Sequence, residues 1–281
     1  EIKIDIAKFF LRKIEAANIV TVAKLDRHTI KADPVKMAFN GAPVAAYLDL
    51  DLSKPGYIYD VRFSADRVPL SPAISSFFPT VGNRTKGELV ANMNVKGQGI
   101  TGVNLKQYLN GNLGFYVTNA AIYIVAQSKK TPPPQTGFLA GFKQMGGSML
   151  SGSFKSIAGG LGIPDLSQTP ITHVDARVEM GDGMIRLKNA DIISSAFKVG
   201  AAGDISIQPV LGESPVAIPV DIWLATKTSS KIKFTSINGD FGQLPRFVEI
   251  VGTVDVIEVK VDKAAMAGAL FGGVGGTVGG L

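Results

Sequence analysis

Residues 44–65 read VAAYLDLDLSKPGYIYDVRFSA. Apolar and polar side chains alternate on both sides of the turn signal Ser53-Lys54-Pro55-Gly56. In the first segment Val44, Ala46, Leu48, Leu50 and Leu52 share one face, and Asp49 and Asp51 share the other. In the second, Tyr57, Tyr59, Val61, Phe63 and Ala65 oppose Asp60, Arg62 and Ser64. Successive strand residues point to opposite faces, so a period of two predicts an antiparallel hairpin with one greasy and one wetted face.

The same alternation extends outward. Leu89, Ala91, Met93 and Val95 interleave with Asn92, Asn94 and Lys96, and Leu113, Phe115 and Val117 follow. Val174, Ala176, Val178 and Met180 interleave with His173, Asp175, Arg177 and Glu179. Val199, Ala201, Ile205 and Ile207 come next, then Ile218, Val220, Ile222 and Leu224, and finally strands around 248–254 and 256–261. About a dozen strands joined mostly by short turns predict antiparallel meanders. The fold class is therefore mainly β: an elongated, curved antiparallel sheet forming an apolar groove, with a few short helices.

Helical signals are sparse. Leu70–Phe78 after Pro69 predicts a short helix, and Asn104–Leu109 another, with Asn104 as its N-cap. Residues 137–162 carry Phe138, Phe142, Met149 and Phe154 at helical spacing, interrupted by Gly146-Gly147 and Gly152. They follow Thr131-Pro132-Pro133-Pro134, a stiff linker. The tail from Ala264 to Leu281 is apolar and Gly-rich, with Leu270 and Phe271 its bulkiest pair. Four segments result: a β-groove segment at 1–130, a Pro linker with an amphipathic helical insertion at 131–165, a second β-groove segment at 166–262, and the tail at 263–281. Phe138, Phe142, Met149, Phe154, Leu270 and Phe271 are the candidate membrane contacts, with Lys143 and Lys155 placed to meet anionic headgroups.

Composition narrows the chemistry. Charged residues make up 19% of the 281, below the roughly 25% usual for soluble domains, and hydrophobic ones 46%. The 32 glycines show no period, which excludes collagen and suits turns and bulges. There is no cysteine, so disulfides and thiolate metal sites are ruled out. The net charge of +6 is scattered, and the basic residues Lys24, Arg27, Lys31 and Lys36 have no interleaved aromatics, which argues against nucleic acid. No apolar run approaches about 18 residues. Residue 1 is Glu, and the chain reads as a piece of a longer or processed protein, with any anchor expected upstream.

Catalytic signals are weak. Gly97-Gln98-Gly99-Ile100-Thr101-Gly102 matches G-x-G-x-x-G, but no Asp or Glu lies between Glu88 and Asp165 to hold a ribose, and the helix that follows is too short. The two histidines, His28 and His173, sit in no ligand pattern. No G-x-S-x-G is present, and Asp49, Asp51 and Asp60 read as charges on a wet strand face. The expectation is a protein that is not an enzyme and needs no metal or cofactor.

Residues 87–122, GELVANMNVKGQGITGVNLKQYLNGNLGFYVTNAAI, resemble the AsmA-like C-terminal region of bacterial envelope proteins. The resemblance lies in a strand running into Gly97 and Gly99, a short helix, Leu109-Asn110-Gly111-Asn112-Leu113, and a strand closing on Ala121-Ile122. Residues 171–207 are similar through the Asp182-Gly183 turn and the step Gly203-Asp204-Ile205. Residues 251–270 are similar to the family's terminal strand and helix, departing at Val256-Ile257, where the family often carries Pro near the turn. That departure implies that Asp255 does not make the family's tight turn. The likeness covers most of 40–270 and rests on the order of its motifs. It implies a repeating β-groove, a periplasmic location in the bacterial cell envelope with an inner-membrane anchor upstream of Glu1, and a role in lipid movement or outer-membrane homeostasis.

A one-sided apolar sheet must cover its greasy face. In a trough, phospholipid acyl chains can supply the missing layer, each buried methylene contributing about 0.8 kcal/mol. The candidate lining residues are Leu48, Leu50, Tyr59, Val61 and Phe63, then Leu89, Met93, Phe115 and Val117, then Val178, Ile205, Ile222 and Leu224. The alternatives are an ordinary closed core and a scaffold subunit of an envelope assembly whose apolar face a partner chain covers.

Overall fold

The protein, described as a computed structural model over residues 1–77, 85–122, 169–228, 232 and 234–271, is one curved antiparallel sheet of 15 strands. The strands are β1 (Ile2–Leu11), β2 (Ile14–Asp26), β3 (Thr29–Phe39), β4 (Ala42–Asp51), β5 (Ile58–Pro69), β6 (Lys86–Gln98), β7 (Asn110–Ala121) and β8 (Ile171–Gly181). They continue with β9 (Met184–Ser194), β10 (Phe197–Ser206), β11 (Pro215–Ala225), β12 (Ser236–Asn238), β13 (Phe241–Gln243), β14 (Val248–Thr253) and β15 (Ile257–Val261). From β1 to β11 each strand pairs with its successor in sequence. The meander expected from the short turns is what forms. β7 pairs with β8 directly, so the ladder runs on across the stretch that separates them.

The turns follow local chemistry. Asp182 and Gly183 both take positive φ, 52° and 72°, as a two-residue hairpin turn requires of its central pair, and they join β8 to β9. The alternation also contains slips that cannot be read from a repeat of two. Bulges interrupt the pairing between Arg177 and Val178 and between Ala201 and Gly203. Both reflect one extra residue of β9 between Leu187 and Ala190, which keeps those two apolar residues on the same face.

Among the described residues three α-helices accompany the sheet. α1 (Leu70–Phe77) starts at the predicted place, and residue 78 lies outside the described residues. It sits on the rim that carries the β1–β2 turn: Ser76 accepts a hydrogen bond from Lys13 N at 3.0 Å, and Arg12 donates to its carbonyl at 2.8 Å. α2 (Gly102–Tyr108) begins earlier than the sequence predicts. Its N-cap is Thr101, whose hydroxyl accepts from Asn104 N, so Asn104 is the capped residue and not the cap. Thr101 offers the same capping chemistry one turn earlier, ahead of the strand-releasing Gly102. α3 (Lys263–Phe271) is capped by Asp262, whose Oδ1 accepts from Ala264 N and Ala265 N at 2.9 Å. No described helix is long and apolar enough to cross a membrane.

A second correction concerns Asp255. Thr253 and Val256 exchange both backbone hydrogen bonds, at 2.8 and 3.1 Å, so a two-residue turn forms without the proline. Backbone bonds from Val254 N to Ser214 O and from Asp255 N to Gly212 O hold it in place instead.

The G-x-G-x-x-G string serves packing. It connects β6 to α2, and a methyl group on Gly102 would meet the backbone carbonyl oxygens of Gln208 and Pro209. Backbone cannot swing aside as a side chain can. Gly102→Ala is therefore expected to cost about 2–3 kcal/mol of unfolding free energy, measured by urea denaturation, whereas an exposed-site substitution such as Lys106→Ala stays within about 0.5 kcal/mol.

The core is uneven. Toward the C-terminus β11 splits its pairing, with Pro215–Val220 against β14 and Trp223–Ala225 against β13. The apolar positions of β11 are sealed there beneath Ile232, Leu244 and Phe247, with Phe197 and Ile250 alongside. Toward the N-terminus the buried set is small: Ala42, Val44, Ala65, Val68 and Ala91. Small residues such as Ala23, Ala32 and Ala176 are buried on that face too, while its larger side chains are mostly half-buried or exposed.

Candidate functional site: an apolar trough

Directly paired residues of antiparallel strands stand on the same face, so the register shows which side chains line up. One row runs Met37, Val44, Ala65, Ala91, Phe115, Ala176, Ala190, Ala201, Val220, Val248, Val261, from β3 to β15. A parallel row runs Val35, Ala46, Phe63, Met93, Leu113, Val178, Leu187, Gly203. A third starts at the edge strand and runs Ile2, Ala23, Ala32, Leu48, Val61, Val95, Gly111, Met180, Ile185, Ile205. Toward one rim lies Leu25, Ile30, Leu50, Tyr59, Gly97, and toward the other Val68, Leu89, Val117, Val174, Ile192, Val199, Ile222. No polar side chain interrupts any of these rows.

All the candidate lining residues stand on this one face, Leu224 through its pairing with Phe197. They divide by accessibility. Leu48, Leu50, Tyr59, Val61, Phe63, Leu89, Met93, Phe115, Val178 and Ile205 are half-buried. Val117, Ile222 and Leu224 are sealed, at 5%, 3% and 0% exposure. Those three back the trough and do not line it. For Ile222 and Leu224 the cause is Ile232, Leu244 and Phe247, which pack against β11. Leu113, Leu187, Val95, Met180 and Ile185 belong to the half-buried set and were missed. Val95, Leu113 and Met180 carried the signal in the alternation read above, whereas the bulge in β9 shifts the phase at Leu187 and Ile185. Phe138, Phe142, Met149 and Phe154 lie outside the described residues. Leu270 and Phe271 fall in the last turn of α3, and their side chains lie outside them too.

The opposite face is wet and charge-paired. Lys31, Asp49, Asp60 and Lys96 stand in one cross-strand row. Lys31 reaches Asp49 at 3.0 Å, and Asp60 is held by Arg62 at 2.9 Å and Lys96 at 3.2 Å. Arg62 lies 4.5 Å over the Tyr47 ring, whose hydroxyl donates to Asp49. The hydrogen bonds from Arg62, with those of Lys96, hold the Asp60 carboxyl below its ordinary range. This ladder acts on register: a slip by one residue would carry the charges into the apolar rows.

Farther along, Arg246 grips Asp221 with two hydrogen bonds of 2.6 and 2.8 Å. Those bonds lower the Asp221 pKa against a smaller opposing effect of burial. A depressed folded pKa stabilises the fold above the unfolded value of about 3.9 and ceases to do so as the pH falls through the folded value. Because Arg246 is largely exposed, the pair is worth about 1 kcal/mol at most. Arg246→Met is expected to lose that amount at pH 7 and to approach wild type as the pH falls through the lowered Asp221 value, checked by urea denaturation at neutral and at acid pH.

Polar clusters elsewhere are small. His173 Nε2 lies 2.8 Å from Asp175, and Asn189 bridges Asp175 and Asp191. Among the described residues no group of three His, Asp or Glu side chains is placed to hold a metal ion. No protein-family model, curated protein or solved structure matches the chain.

Proposed function

We propose that the trough binds phospholipid acyl chains and conducts them along its length, as a lipid-transfer element of a bacterial envelope. The observation that carries this reading is the unbroken apolar face from β1 to β10, left half-buried by the protein itself. A half-covered apolar surface of that extent marks an interaction site. Its composition selects the occupant. Aliphatic and aromatic side chains dominate, no charged side chain stands in the paired rows to fix a head-to-tail position, and hydrocarbon tails need none. With neighbouring strands about 4.8 Å apart, the nine steps from β1 to β10 make a trough roughly 43 Å long. Chains can then slide between equivalent positions, which suits passage more than storage.

The AsmA-like resemblance supports the same reading and carries with it the proposed periplasmic setting and membrane anchoring. The test is organic extraction of the purified protein followed by mass spectrometry. Phospholipid near or above stoichiometry supports the proposal. A lipid-free protein whose trough is instead filled by a stoichiometric protein partner overturns it in favour of a scaffold.

A further inference from the structure

The β2–β3, β4–β5 and β6–β7 connections all lie on one long rim of the trough, because strands alternate in direction. They are clipped together. Leu52 N donates to His28 O at 2.6 Å, joining the second connection to the first. Gly99 N donates to Tyr57 O at 2.9 Å, and Gln98 Nε2 to Pro55 O at 3.1 Å, joining the third to the second. The result is one braced ridge and not three independent loops.

The tips of this ridge are apolar. Leu25 is 53% exposed and Leu52 48%. Ile100 and Val103 reach 69% and 56%, and Tyr57 and Tyr108 are also exposed. Arg27, Lys54 and Lys106 stand among them and make no ion pair with any described residue. Two acidic neighbours are tied to their own turns: Asp26 accepts from Arg27 N at 2.7 Å and Asp51 from Ser53 N at 2.8 Å.

We propose that this ridge is a membrane-docking surface that inserts its apolar tips into the headgroup region of an anionic bilayer. The apolar side chains protrude separately, from the end of β2, the β4–β5 turn, the link into α2 and α2 itself. A soft, planar, apolar-beneath-polar medium accepts such separated points. Exposed tyrosines and unpaired basic groups beside aliphatic tips match the aromatic and charged layers of that interface. Docking on this rim sets the long mouth of the trough against the lipid, so tails would enter from the side. Apart from Leu25, which ends one apolar row, the ridge is separate from the lining residues, so the inference goes beyond the acyl-chain reading and can fail independently of it.

The experiment is flotation of the full chain with vesicles of phosphatidylcholine alone and with about a third phosphatidylglycerol. The wild type is expected to float with the anionic vesicles and weakly with the neutral ones. Leu52→Ser/Ile100→Ser/Val103→Ser is expected to bind at least about tenfold more weakly, and Arg27→Gln/Lys54→Gln/Lys106→Gln to lose the preference for anionic lipid. Both variants should melt like the wild type, since every position is solvent-exposed, and both should keep their copurified lipid. A wild type that floats with neither vesicle, or a triple-serine variant that floats like wild type, overturns the proposal. Loss of copurified lipid from the wild type would count against the trough reading and leave this result standing.

Discussion

Met93→Asp/Val178→Asp is expected to strip the protein of phospholipid while leaving the sheet folded. The two residues stand in the same apolar row, separated there by Leu113 alone, and each is half-buried. A carboxylate facing a hydrocarbon-filled trough must lose its water, at a cost of several kcal/mol. Expelling the lipid and letting water enter is the cheaper outcome. We expect extracted phospholipid to drop at least about tenfold, with the loss of unfolding free energy below about 2 kcal/mol. A sealed core would respond the other way, because an unpaired buried carboxylate there would prevent folding.

Leu224→Ala supplies the opposite result. Leu224 is wholly buried, packed with Phe197, Ile222 and the covering residues Leu244 and Phe247. Deleting its side chain leaves a cavity that the surrounding ladder cannot collapse, so a loss of about 3–4 kcal/mol is expected in urea unfolding. The lipid carried per folded molecule should not change. Two residues with the same alternation in sequence thus differ in kind: Val178 lines the trough and Leu224 is structural.

That difference marks the boundary of what the sequence made legible. The hairpin at 44–65 could be read to its register, Val44 opposite Ala65, because both faces of both strands are marked by unambiguous residues. The wet face was equally plain, since Asp60 and Arg62 are two apart on one strand and pair there. The first three strands were harder. Residues 2–39 mix their apolar positions with Lys and Asp, and the bulges around Asn18, which takes a positive φ of 51°, break the period. The sealing of Ile222 and Leu224 was not local at all. It depends on Ile232, Leu244 and Phe247 returning across β11, and nothing in the strand's own alternation announces a covering segment. The rim ridge escaped notice for a related reason. Leu25, Leu52, Ile100 and Val103 are scattered in sequence and become neighbours only once alternate strand directions bring their turns to one side.

The account stands on acyl chains occupying the apolar face, and site-specific photocrosslinking tests that most directly. A benzophenone side chain is placed singly at Phe63, Met93 or Val178, and as a control at Ser64, Asn92 or Arg177, their immediate neighbours on the charged face. After irradiation in cells, phospholipid adducts are read by mass spectrometry of the intact protein. The account predicts lipid adducts at the first three positions and none at the controls. Adducts of equal yield on both faces, or none on the apolar one, would contradict it.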